Sequence, residues 1–76
     1  MNEKKEKNSA QIARANGWKP GMVLVASEEK RQEVRFRITA VGDEMVLGRR
    51  MLSYEMLGSE IGLSLTDEFI QWRRDV

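Results

Sequence analysis

The sequence predicts a mainly β protein: a small barrel of four to five short antiparallel strands, with a short helix near each end. Three observations point there. Val34, Phe36, Ile38 and Ala40 alternate with Arg35, Arg37 and Thr39 in the period-two pattern of a half-buried strand. Gly42-Asp43 follows directly and suits a tight hairpin turn, whose centre favours glycine, Asn or Asp. The chain has only 76 residues, too few to cover both faces of a flat sheet, so the sheet does better curled on itself. A domain of this size buries about 60% of the surface its unfolded chain exposes. Its stability is then expected at roughly 4–11 kcal/mol.

Residues 1–8 carry Glu3, Lys4, Lys5, Glu6 and Lys7 with no apolar residue after Met1, the composition of a solvated tail. The folded domain is therefore expected over 9–76. Ser9 is placed to cap a short helix over 10–16, which Gly17 ends in the left-handed conformation. Trp18-Lys19-Pro20-Gly21 is a turn signature. Met22 to Ala26 is an apolar run of strand length, and the polar stretch 27–32 after it reads as an exposed loop.

The second strand is the alternating run 34–41, and Met45 to Leu52 returns as the third. In the next segment Tyr54, Leu57 and Ile61 fall at helical spacing, but Gly58 interrupts them at about 1 kcal/mol against alanine, so residues 53–59 read as a loop. Ile61, Leu63 and Leu65 restore the strand period. Thr66 reads as a helix cap, with Asp67 and Glu68 in the first turn and Arg73 and Arg74 in the last. Phe69, Trp72 and Val76 would then share the helix side that closes the barrel mouth. Together these elements describe an SH3-like barrel.

Composition narrows the function. There is no cysteine and no histidine, which removes disulfides, thiolate metal sites, Cys nucleophiles and the commonest general base. The adjacent carboxylates Glu28/Glu29, Asp43/Glu44 and Asp67/Glu68 have neither metal-site nor acid–base spacing, and Ser53 and Ser59 have no base to activate them. A non-catalytic protein without a cofactor is expected. No run approaches a membrane span and no signal peptide is visible, so cytoplasmic residence is expected. Thirteen basic against 12 acidic residues give a near-neutral whole, so any electrostatic site must be a local patch.

Asn16-Gly17-Trp18, Gly21 and Leu24, then Val34 to Gly42, then Val46-Leu47 with Arg49-Arg50, then Leu65 and Trp72-Arg73 form an ordered series over about three quarters of the chain. The series resembles small uncharacterised proteins encoded by bacteriophages and prophages, taken to be SH3-like barrels. Met51 to Ser59 has no counterpart in that pattern. The resemblance implies the fold, a phage or prophage origin and residence in a host bacterial cell. It brings no catalytic residues.

Hairpin register then fixes the candidate site. If Gly42-Asp43 is the whole loop, Val41 pairs with Glu44, and Phe36, Ile38, Ala40, Met45 and Leu47 face the core, with Arg49 at its rim. Arg35 then lies opposite Arg50 on the outer face, with Arg37 beside them. Like charges directly opposite are destabilising by roughly 0.2–1 kcal/mol, so something must offset them. One candidate is a nucleic-acid phosphate or another polyanion held by Arg35, Arg37 and Arg50, with Arg49, Lys19 or Arg74 flanking. The other is an internal counter-charge from Glu28, Glu29, Glu33 or Glu60, with the arginine stems lying flat over Val46 and Leu52.

A different class of function is a protein-interaction module, such as a phage-encoded inhibitor or modulator of a host protein. It would use Trp18, Tyr54 and Met56, with the 27–33 loop and the 53–59 segment. Against that, Trp18 and Trp72 read first as core plugs and the methionines as core filling. Self-association through an uncovered strand edge is a third expectation.

Overall fold

The computed structural model describes residues 7–28, 32–53 and 55–75. The chain runs α1 (Ser9–Asn16), β1 (Val23–Glu28), β2 (Val34–Val41), β3 (Val46–Met51), β4 (Leu57–Leu63) and β5 (Ile70–Arg74). The five strands form one antiparallel open sheet in the order β4-β3-β2-β1-β5, so the last strand returns beside the first.

Helix α1 is capped by Asn8 rather than Ser9. The Asn8 side chain accepts from the Gln11 backbone N–H, and the Gln11 side chain accepts from the Asn8 N–H in return. Gly17, at φ 74°, ends the helix in the left-handed region. Freed from capping, Ser9 is buried: its hydroxyl donates to the Leu63 carbonyl at 3.0 Å and accepts from the Leu65 N–H at 3.1 Å. Ala10 and Ala13 are fully buried, and Ala13 joins Leu24, Ile38, Val46, Leu63 and Leu65 in the core. Small side chains let this short helix approach the sheet closely.

The β2–β3 connection differs from the expected two-residue turn. Val41 pairs with Val46, and the Gly42 N–H donates to the Met45 carbonyl at 2.8 Å, so four residues form the loop. Helix α1 satisfies its carbonyls, Arg14 donating to Gly42 and Asp43 and the Ala10 N–H to Glu44. A bulge between Ile38 and Ala40 then shifts the pairing by one residue. The longer loop moves the register by two and preserves side-chain parity, whereas the bulge reverses it for everything beyond. Val41 therefore takes the core place expected of Ala40, and Val46 replaces Met45 and Leu47. Met45 is 56% exposed. Phe36 and Ile38 face the core as expected.

The C-terminal segment is a strand and not a helix. Asp67 organises a turn, its carboxylate accepting the Phe69 N–H and its carbonyl the Ile70 N–H. β5 then pairs with β1 from Ile70↔Glu28 to Arg74↔Leu24. A helix here would have left the β1 edge without partners, a larger loss than five residues of marginal helix would recover. Trp72 lies across the core from β5, 5.6 Å from Phe36 between ring centroids, and its indole N–H donates to the Ser64 carbonyl. Residues 57–59, expected as loop, belong to β4.

Candidate functional site

Parity and register divide the arginines between two sides of the sheet. On the outer side, one cross-strand row holds Arg73, Val25 and Arg35, and the next holds Val23, Arg37, Arg49 and Glu60. Arg50 lies opposite Phe36, on the inner side. The expected Arg35–Arg50 pair therefore does not exist, because the bulge moves Arg50 through the sheet. In its place Arg37 and Arg49 face each other directly, and cross-strand partners have Cα atoms only about 4.5–5.5 Å apart.

The two outer rows are chemically unlike. Val25 is fully buried although it is outside the core cluster, because the stems of Arg35 and Arg73 flank it. Their charges are met by carboxylates: Arg73 reaches Glu33 at 2.7 Å, Arg35 reaches Asp75 at 3.1 Å, and Glu33 lies 4.0 Å from Arg35. Internal counter-charge is thus the arrangement at Arg35, but the apolar residue between the stems is Val25, whereas Val46 lies in the core and Leu52 is exposed. All four side chains are more than a third exposed, so the network contributes little stability.

The second row carries Glu60 at its β4 end, but no carboxylate among the described residues bonds to Arg37 or Arg49. Among the described residues, the Arg37 side chain has no hydrogen bond or ion pair. Arg49 donates through Nε to the Gly58 carbonyl at 2.8 Å, which aims its side chain but adds no negative charge. Glu60, the carboxylate across from Arg49, accepts instead from the Thr39 hydroxyl at 2.5 Å. Thr39 reaches it from the bulge, so the irregularity that brings Arg37 and Arg49 together also draws one oxygen of that acid to a hydroxyl. Both guanidinium groups stand exposed on an open sheet face, a geometry suited to bridging an anion.

The remaining predicted residues are dispersed. Lys19 is exposed in the turn before β1, and Arg74 falls on the side opposite Arg73. Trp18 is half-buried against the core, and its N–H donates to the Ala13 carbonyl as part of the helix C-cap. Met56 is exposed in the loop that precedes β4, where its carbonyl accepts from the Leu52 and Ser53 N–H groups. Tyr54 lies outside the described residues, as do 29–31 of the β1–β2 loop.

Two hollows accompany the sheet. One, of about 410 Å³, opens on the inner side between β4 and β5 and is bordered by Phe36, Trp72, Ile70, Ile61 and Arg50. The other, of about 570 Å³, is bordered by Ser27, Glu28, Glu68, Phe69 and Gln71. Phe69 is 85% exposed, and helical spacing wrongly placed it with Trp72. The signal that would have separated them is the Ile70/Trp72 alternation beginning after Asp67. Among the described residues no three acidic side chains converge to hold a metal ion. No helix among them is long and apolar enough to cross a membrane.

A family model described as a domain of unknown function, DUF7241, matches residues 7–74. The chain belongs to that family. The match spans α1 through β5, so helix, sheet and both outer arginine rows lie inside the family's domain. No curated protein and no solved structure matches the chain.

Proposed function

We propose that this member of the DUF7241 family is a non-catalytic binding module of phage or prophage type that holds a polyanion, nucleic acid foremost, on the outer face of its sheet. The observation that carries this reading is the Arg37–Arg49 pair: two like charges directly opposite, with no carboxylate bonded to either among the described residues. A phosphate between them turns a mutual repulsion into two charge-assisted contacts. Arg35 and Arg73 form the flank, their acids exchangeable at the surface. The return of β5 beside β1 supports an SH3-like barrel with a seam between β4 and β5. The ordered sequence motifs support the phage or prophage origin and, with it, a host-cell cytoplasm.

The test is binding of a labelled oligonucleotide across a salt series by wild type and by Arg37→Glu/Arg49→Glu. Each phosphate contact contributes roughly 0.7–0.9 to the slope of log affinity against log salt, so losing two should flatten it by about 1.4–1.8. Unchanged binding in the variant, or no salt-sensitive binding in wild type, refutes the proposal.

A protein partner is the second reading, favoured by the inner hollow. There Phe36 and Trp72 sit beside Arg50, which has no bonded partner among the described residues, and aromatic and arginine side chains dominate interface hot spots. The unpaired edges of β4 and β5 border it and would also allow two copies to join strand to strand. Capture from nuclease-treated host lysate that is lost in Trp72→Ala would favour this reading over the first.

A further inference from the structure

We infer that the outer face takes single-stranded rather than duplex nucleic acid, with one base stacked on Phe69. This rests on the polyanion reading above and names its substrate class. Phe69 is the most exposed large apolar side chain among the described residues. Its turn is tied down by two hydrogen bonds to Asp67, so the ring is presented from a fixed backbone. The hollow beside it is floored by Ser27 and Gln71, which are direct partners across β1 and β5.

That row lies on the same side of the sheet as the arginines. Ser27 and Gln71 are each two residues from Val25 and Arg73, and Val23 is two residues further along β1, beside Arg37. At about 3.4 Å per residue, the Arg73/Arg35 row is about 7 Å from the Ser27/Gln71 row and the Arg37/Arg49 row about 14 Å. A strand crossing the face therefore meets an aromatic ring at one end and guanidinium groups along the rest, the two components of a single-strand site.

The chemistry of the hollow separates base from backbone. Glu68, which borders it, repels phosphate and directs the backbone toward the arginine rows. The Gln71 amide both donates and accepts, the Ser27 hydroxyl does the same, and the Glu68 carboxylate accepts, so the edge of a base finds partners there. In a duplex the base faces are covered by their neighbours and the pairing edges are occupied. Only an unpaired strand offers the face that Phe69 needs.

The experiment measures fluorescence anisotropy of one labelled oligonucleotide, alone or annealed to its complement, with heparin as a polyanion that has no bases. Wild type should bind the single strand more tightly than the duplex. Phe69→Ala should weaken single-strand binding from about fivefold to over a hundredfold, leave heparin binding unchanged, and melt like wild type because the ring packs on little. Phe69→Trp should restore the affinity. If Phe69→Ala binds the single strand as wild type does while Arg37→Glu/Arg49→Glu is impaired, the base site is wrong and the phosphate reading stands. If the arginine variant also binds normally, both fall.

Discussion

Replacing Gly48 by alanine tests the register on which the arginine pairing depends. Gly48 is buried opposite Ile38, and a Cβ there would stand 2.8 Å from Leu63 Cδ1 and 2.9 Å from the Arg37 carbonyl oxygen. The leucine can shift, but the carbonyl belongs to the β2 backbone and yields only if the two strands part. Overpacking of this kind costs about 1–3 kcal/mol. Gly48 is not at positive φ, so alanine gains about 0.4–1 kcal/mol by restricting the unfolded chain. Taking the middle of each range, the balance is a loss of about 1.3 kcal/mol, or roughly 5–10 °C in Tm for a domain of this size. Gly58→Ala is the control, because its Cβ would meet nothing closer than 3.6 Å. Thermal melts followed by circular dichroism should separate the two variants. A Gly48→Ala protein that melts at or above wild type would show that β2 and β3 do not approach as described, and the Arg37–Arg49 pairing would lose its basis.

Other substitutions probe the remaining supports. Ser9→Ala removes the hydroxyl bridge between the Leu63 carbonyl and the Leu65 N–H, which keep their bond to each other, and should cost about 0.5–1.5 kcal/mol by urea denaturation. Asn8→Ala removes the capping box and should cost about 0.5–2 kcal/mol by the same measurement. Leu24→Ala, at a fully buried core site, should cost about 2–5 kcal/mol, enough to bring much of the population near unfolding at 37 °C. Glu33→Gln releases Arg73 from its carboxylate while Arg35 keeps Asp75, so stability should change by less than about 1 kcal/mol while salt-sensitive oligonucleotide binding strengthens.

What was legible in the sequence was local. The alternation from Val34 onward, the glycine ending α1 and the period of Ile61 and Leu63 each record a neighbour within a few residues, and each element formed. Gly42-Asp43 fits a two-residue and a four-residue loop equally well. The longer loop is held by Arg14 and Ala10, about thirty residues upstream, and no local rule sees them. Thr39 likewise gives no sign of a bulge until Glu60 is opposite its hydroxyl. Strand was chosen over helix after Asp67 by the vacant edge of β1, a demand from the other end of the chain. The arginine face was therefore anticipated in kind but not in membership: Arg35 and Arg37 belong to it, Arg50 gives way to Arg49, and Arg73 enters through a strand that helical spacing concealed.

The return of β5 to β1, together with the Ser9 hydroxyl bound between Leu63 and Leu65, has a consequence for biosynthesis. The first folded residues depend on partners made more than fifty positions later, and β1 gains its second neighbour only when the final strand arrives. As the chain emerges from the ribosome, the β2–β3 hairpin can form on its own. The helix lacks its Leu63 and Leu65 partners, and the β1 edge stays open, until β4 and β5 have been made. Long-range closure of this kind slows folding relative to local pairing. The interval in which the nascent chain is vulnerable to proteases and to strand-edge pairing with its neighbours therefore lasts until β5 has been made.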